Sequence, residues 1–428
     1  MIPRILEEAE RLGAQGDVVL KFDRTTSLRF RDGRLQQAHE AEETGANLRL
    51  VVDGRIGSAG STTGDPDALV EAALASARLG QQGPLFYPEA APSGDPLIYS
   101  PEAESADLDT LGRCGSQLSE SLIDDDTQVE IAVERSVGSV HVANTRGVDV
   151  RYEVSSVTLD VTATAAGSTS VHAWWGRSGL PSNEELEGLV SWVSERLKWA
   201  VGEGPVKAGA MPVCFTHRAM ATLLTPVRHA LGGKAVLYGT SPLADRIDQP
   251  VFDSSITLID DPWEDGRPGS RPIDDEGVVC RPLPLVEDGF LKAAIYDLET
   301  AVLAGVPSTG HGRRSTFGKP QPAYSNLRLL PGDQTWEDLL RLVGDGLVVD
   351  GFHDAGRGFA RSGAFKQPAS LAFRVSGGEI AGKADAVTVS GNIIHLLSQV
   401  SGLGRECRWM GSMCLPPMVL DGVRVQPR

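Results

Sequence analysis

The chain has 428 residues, long for a single hydrophobic core, so two domains or more are expected. Its 57 acidic and 40 basic side chains give a formal charge of −17, which argues against non-specific attraction to nucleic acid, although a local basic patch is still allowed. No apolar run reaches the roughly 18 residues that span a bilayer, and MIPRILEEAERLGAQGD scatters Glu and Arg where a signal peptide would be apolar.

The first helix is predicted over about residues 3–13, with Ile5, Leu6, Ala9 and Leu12 on one face. Five strand-like runs follow: DVVLKF, TSLRFR, RLQQAHEAEE, GANLRLVV and RIGSAGS. Asp32-Gly33 and Asp53-Gly54 tolerate the positive φ of tight hairpin turns. A helix at DPDALVEAALASARLG closes the unit, and the Pro- and Gly-rich QQGPLFYPEAAPSGDP reads as a long connection. The pattern then recurs: a helix at DLDTLGRCGSQLSESLID, a meander through QVEIAVERSVGSVHVANTRGVDVRYEVSSVTLDVTATAAG, and a helix at SNEELEGLVSWVSERLKWAV with Leu186, Leu189, Val190 and Val193 on one face. Two helix–meander–helix units, about 1–85 and 105–203, suggest an internal duplication with little sequence in common.

GEGPVKAGA, residues 202–210, reads as a linker to a second domain over 211–428. That domain is predicted to be strand-rich, with helices at THRAMATLL and TWEDLLRLVG and its one long helix at GNIIHLLSQVSGL. Strands cluster instead of alternating with helices, so the fold class is α+β with mainly antiparallel sheets in two domains. The five cysteines, Cys114, Cys214, Cys280, Cys407 and Cys414, form no CxxC pair; reduced thiols in a cytoplasmic protein are expected.

Three stretches could carry chemistry. In PVCFTHRAMATLL, Thr216 can cap a helix on which Met220, Leu223, Leu224, Val227 and Leu231 share a face, and Pro226 is expected to kink it. This is either a packed core helix with one histidine at its start or a zinc helix without its chemistry. Zinc hydrolysis needs three ligands, an open position and a carboxylate base. Arg218 follows His217, and a guanidinium stays protonated, so it can be no base and would repel a metal. In PIDDEGVVCRPLPLVEDGFL, Asp274, Asp275 and Glu276 lack the alternating spacing of a calcium loop, and a hairpin turned at Asp288-Gly289 is the simpler reading. PSTGHGRRSTFG, residues 307–318, is not a Walker loop. It is either an ordered turn or a cleft wall in which His311, Arg313 and Arg314 meet a peptide. GxSxG is absent, and no cysteine has a recognisable catalytic setting.

In order, DGRLQQAHEAEETGANLRLVVDGRIGSAGSTT, SITLIDDP, DDEGVVCRPLPLVEDGFL, PSTGHG, GDGLVVDGF, GGEIAGKADAVTVSGN and MGSMCLPPM resemble the TldD/PmbA family, also named for modulation of DNA gyrase. The resemblance covers nearly the whole chain. It implies a family of two subunit kinds. The TldD kind holds zinc with HExxxH and a later cysteine. The PmbA kind, also called TldE, keeps the fold without those ligands. Together they are implied to form a cytoplasmic heterodimer that degrades unstructured peptides.

Carried over by residue, His217 falls on the first histidine, Arg218 on the glutamate and Thr222 on the second histidine. Met410 takes the place of the ligand cysteine, and Cys414 lies four residues further on. The resemblance thus implies a PmbA-like chain with no catalytic residue and no cofactor of its own, zinc being held only by a TldD-like partner. Alternatives are a stand-alone peptide-binding homodimer, or a hydrolase using another residue set. Neither nucleic acid nor membrane is an expected partner.

Overall fold

A computed structural model of the chain describes residues 1–83, 85–165, 169–353 and 359–428. The end of the predicted second meander, at 166–168, lies outside them. The first unit is α1 (Ile2–Arg11), β1 (Gln15–Arg31), β2 (Arg34–Val52), β3 (Arg55–Ser61) and α2 (Pro66–Leu79). The second is α3 (Pro101–Ser105), α4 (Leu108–Leu122), β4 (Thr127–Asn144), β5 (Asp149–Ala165), β6 (Thr169–Arg177) and α5 (Asn183–Trp199). Their strands form one antiparallel sheet in the order β3-β2-β1-β4-β5-β6. The leading strands of the two units pair at its centre, Asp17 opposite Asn144 and Arg31 opposite Glu130. The two units thus lie edge to edge in one continuous sheet.

Residues 32 and 33 turn with φ of 49° and 75°, and residues 53 and 54 with 49° and 74°, the positive values that Asp-Gly accommodates. Between the turns the strands are longer than the sequence suggested. DVVLKF and TSLRFR are one strand of 17 residues, and RLQQAHEAEE and GANLRLVV one of 19. No reversing pair separates them, and cross-strand pairing runs on from Gln15 with Val51 to Arg31 with Arg34. Leu12, predicted on the buried face of α1, is the exposed C-cap.

The stretch expected as a linker already belongs to the C-terminal sheet. β7 (Glu203–Gly204) pairs in parallel with 383–384, and β8 (Gly209–Phe215) follows. β8 lies between Gly346–Phe352 and Met418–Pro427. The sheet continues through Val387–Asn392 to Ala364–Ser376, which pairs back onto Gly346–Phe352 and closes a five-stranded ring. A second sheet runs from Phe290–Leu291 through Leu258–Asp260 to Arg408–Met410. GNIIHLLSQVSGL is not a long helix. Asn392 caps only Ile393–Leu396, and Val400–Leu403 leaves as a strand against Met418–Leu420. One apolar cluster crosses the two halves, joining Leu28, Val133, Leu159 and Val193 to Val348, Phe373 and Val419.

The halves are also tied by buried charge. Asp288-Gly289 turns the expected hairpin, with positive φ, between 283–287 and 290–291, while Asp274, Asp275 and Glu276 upstream of it are fully buried. Arg49 on β2 donates to both Asp17 carboxylate oxygens, at 2.9 and 2.8 Å, and to Glu276 at 2.6 Å. Lys21 on β1 donates to Asp275 at 2.7 Å, and Arg314 lies 3.0 Å from Asp17. Asp274 accepts from the Gly312 amide at 2.8 Å. Removing one member leaves opposite charges unpaired in a dry junction. Arg49→Ala is therefore expected to cost about 3–5 kcal/mol in urea denaturation; a loss under about 1 kcal/mol would contradict the network's role.

Burial, then Asp274 and Asp297, raise the Glu276 pKa, with Arg49 opposing. The folded form thus holds a proton that the unfolded chain releases near 4.5. The stability this gives is complete below that value and lost as pH rises through the higher folded value. Glu276→Gln should flatten the fall in stability between about pH 5 and about pH 8.5. An unchanged slope would contradict the assignment.

Candidate functional site

β8 runs straight into α6 (His217–Leu223), with Thr216 at the N-cap position. The Thr216 hydroxyl does not cap the helix; it donates to the Asp350 carbonyl at 3.3 Å. Met220, Leu223, Leu224, Val227 and Leu231 are all buried, as one apolar face requires. The helix stops at Leu223, and a new one, Thr225–Ala230, begins with Pro226 in its first turn. That is the break a proline imposes, since its ring excludes the helical hydrogen bond.

α5 supplies the opposite wall. A Ser182–Glu185 capping box starts it, and Leu186, Leu189, Val193 and Arg196 turn inward. Trp192, Arg196 and Trp199 are four and three residues apart, so they share a face. The His217 ring packs edge-on against Trp192, with centroids 4.7 Å apart at 66°. Asp350, fully buried, lies 3.2 Å from Arg196 Nε and 3.9 Å from Arg218 Nη1. A Cβ on Gly351 would fall 2.5 Å from Arg218 Nη1, so a glycine there makes room for the guanidinium. Burial first, then the charges of Arg196, Arg408 and Arg218, hold the His217 pKa well below its ordinary value. His217 is therefore neutral near pH 7.

Two adjoining clefts, about 270 and about 360 Å³, share Trp192, His217 and Arg408. Met410 lines the larger one with His217, so the positions that the resemblance gives to the first histidine and to the ligand cysteine border one cleft. Thr222 is half-buried and lines neither cleft. Cys414 stands opposite Trp409 in a two-strand hairpin, with its Sγ 2.7 Å from that of Cys407.

These residues do not fit zinc. The His217 imidazole is hemmed by three guanidinium groups, and at the positions that the family resemblance gives to the ligand cysteine and the catalytic glutamate, Met410 offers only a thioether and Arg218 only a cation. Among the described residues, no three His, Cys, Asp or Glu side chains converge where a metal could be held.

The loop 307–318, offered by the sequence as a peptide cleft, is placed differently. His311 is buried, with Nε2 2.9 Å from Asp260 and Nδ1 2.8 Å from the Thr309 carbonyl oxygen. Arg314 is buried between Asp17 and Asn47. Only Arg313 is half-exposed. The loop lies flat on the N-terminal sheet, so close that a Cβ on Gly60 would meet the Thr316 carbonyl oxygen at 1.9 Å. Arg314 thus serves the domain junction, and His311 is tied to Asp260 and Thr309 inside the C-terminal half.

Sequence reasoning missed the tryptophans. Trp174-Trp175 on β6 and the Trp192, Arg196, Trp199 spacing on α5 were readable as a composite aromatic and cationic face, but not as facing one cleft.

The family is settled by comparison. Descriptions of the PmbA/TldA metallopeptidase domain 1, central domain and C-terminal domain match residues 16–77, 102–201 and 208–427. The chain belongs to the PmbA/TldD metallopeptidase family. TldE from Thermococcus kodakarensis has a similar structure, at 25% identity, a TM-score of 0.90 and 99% coverage of both chains. The Thermotoga maritima protein TM0727 shares the fold at 23% identity and a TM-score of 0.90, again over 99% of both chains. A metalloprotease of Methanothermobacter thermautotrophicus is 25% identical over 94% of this chain and 91% of its own length. The TldD homologue of Buchnera aphidicola is 30% identical over 51% of this chain, and the match spans 46% of that protein. Among the described residues, no helix is long and apolar enough to cross a membrane.

Arg218→Glu combined with Thr222→His restores the family's histidine and glutamate pattern in sequence only. Thr222 lies off the cleft and Met410 remains, so elemental analysis of the double variant should find zinc far below one per chain. About one tightly held zinc per chain would contradict the placement.

Proposed function

We propose that this chain is the non-catalytic, TldE-like half of a TldD-type zinc metallopeptidase that degrades unstructured peptides. In this reading a TldD-like subunit brings the zinc, its base and the hydrolysis. This chain contributes the shape of the complex and part of the peptide-binding surface. The observation that carries the reading is Arg218. It takes the position of the family's catalytic glutamate, beside a histidine already surrounded by positive charge. Hydrolysis needs a base poised to take a proton from metal-bound water, and a guanidinium cannot take one. The fold around it is nevertheless complete, including the core face of α6 and the cleft that joins His217 to Met410. A pseudo-enzyme kept as a binding and assembly partner explains why the fold outlasts its chemistry. The likeness to TldE over 99% of both chains supports the same assignment. The cytoplasm, with its reduced thiols and unfolded peptides, is the compartment this reading implies.

The test is assembly and activity together. This chain and a TldD-like subunit from the same genome should co-elute as one complex. Cleavage of a disordered peptide should require both and vanish with a chelator. Glutamate-to-glutamine replacement in the partner's HExxxH motif should abolish cleavage, whereas His217→Ala here should leave at least about half of it. Cleavage by this chain alone, lost on His217→Ala, would overturn the proposal.

A further inference from the structure

We propose that the cleft beside His217 is a receptor for peptide carboxylates, with Arg267 and Arg408 as the anion donors and tryptophan side chains as walls for the neighbouring apolar residue. The proposal deepens the peptide-binding reading and rests on it.

Aromatic placement is the first observation. The chain has seven tryptophans. Trp174, Trp175, Trp192, Trp199, Trp336 and Trp409 line the two adjoining clefts, and only Trp263 lies elsewhere. They come from β6, α5, the helix Trp336–Val343 and the strand Arg408–Met410, so no single local pattern gathers them. These six indoles are half-buried, and half-buried indoles converging on one concavity mark a recognition site, because they offer large rigid contact area at little entropic cost. The two ends of the site differ. Trp199 and Trp336 stack at 5.5 Å and 4°, and Trp199 meets Phe373 edge-on, so that end is packed against the core. The end with Trp174, Trp175 and Trp409 belongs to the larger, more open cleft.

Charge is the second. In the larger cleft the basic residues are Arg177, Arg267 and Arg408, and the only acid is Glu185. Glu185 is occupied: its carboxylate is 3.2 Å from Arg177 and accepts the Ser182 amide at 2.9 Å. Glu264, near Arg267, is ion-paired with Arg328. Among the described residues, Arg267 and Arg408 have no ion-pair partner, in a chain whose net charge is −17. Burial and the neighbouring Arg177 lower the Arg267 pKa to about 10, as expected where positive charge is under-compensated.

Geometry is the third. The Arg267 guanidinium lies over Trp409 at 4.2 Å and that of Arg408 over Trp192 at 4.5 Å. Stacking on an indole fixes the guanidinium plane and leaves its in-plane N–H groups free for a planar acceptor. A carboxylate is such an acceptor and is held through paired, charge-assisted hydrogen bonds. Arg267 already gives one N–H to the Gly176 carbonyl at 3.2 Å, which anchors it without neutralising it. A peptide that ends in an apolar residue presents the carboxylate and a side chain for the indole wall together. An Asp or Glu side chain offers the same chemistry.

The experiment uses this chain alone, so failure to assemble with a TldD-like subunit is scored separately. The probes are Ala-Ala-Leu-Phe as the free acid, the same peptide as its C-terminal amide, and Ala-Glu-Leu-Phe amide. Calorimetry and indole fluorescence report binding. The free acid should bind and change the tryptophan emission, and the amide should bind at least about 10-fold more weakly. Arg267→Gln and Arg408→Gln should each weaken the free acid by about 10-fold with unchanged thermal melting, and Arg408→Lys should fall between. Ala-Glu-Leu-Phe amide binding as tightly as the free acid would support the carboxylate site and assign it to acidic side chains. Equal affinity for acid and amide, no binding of any probe at millimolar concentration, or full affinity in both glutamine variants would overturn the proposal.

Discussion

The molecule depends on one buried ionic knot, in which Arg49 bridges Asp17 of its own sheet and Glu276 of the other half. A guanidinium can serve the Asp17 carboxylate and the Glu276 carboxyl group at once because its donors point in fixed, separate directions. Here they span a domain boundary. Asp275 adds a second tie, accepting from Lys21 Nζ of the first half and from the Arg314 backbone amide of the other. The desolvation cost of so many charges is met only while every partner is present, which makes the relative placement of the halves nearly all-or-none. The apolar cluster that crosses from Leu28 to Phe373 gives the junction its strength; the charges give it a unique geometry.

That placement decides where a ligand can bind. It uses up the 307–318 loop, whose His311 and Arg314 would otherwise be attractive peptide contacts. It also brings α5, β6 and the strand Arg408–Met410 against the start of α6 and so builds the aromatic cleft from both halves. Asp350 has a similar part on a smaller scale. One buried carboxylate faces both Arg196 and Arg218 and holds these cations close to His217. On the proposed reading, Arg408, one of the three positive charges around His217, is also one of the two that a peptide carboxylate meets.

Much of the fold was legible in local sequence because its signals are local. Asp32-Gly33, Asp53-Gly54 and Asp288-Gly289 turn with the positive φ that their residue types admit. The apolar stripe from Met220 to Leu231 is buried, and Pro226 marks a real break. The α+β class followed from clustered strands. What failed depends on partners distant in sequence. The long strands β1 and β2 looked like four because polar residues fill their exposed stretches. The run at 392–403 looked helical because its apolar spacing gave no hint that Met418–Leu420 would claim Val400–Leu403 as a strand. Asp274, Asp275 and Glu276 looked only like the run leading into the Asp288-Gly289 hairpin, since nothing nearby announces Lys21, Arg49 or the Gly312 amide. The carry-over of the metal motif onto His217, Arg218, Thr222 and Met410 rests on the family resemblance alone, whereas the tryptophan cleft needed the fold.

The central claim is that the histidine position of this chain has been converted from metal ligation to a cationic, aromatic recognition surface. Anomalous diffraction at the zinc edge, on crystals of this chain with a TldD-like subunit grown with zinc, tests it most directly. The account predicts one strong peak in the TldD-like subunit and none within bonding reach of His217. A peak about 2.0–2.1 Å from a His217 ring nitrogen would contradict it.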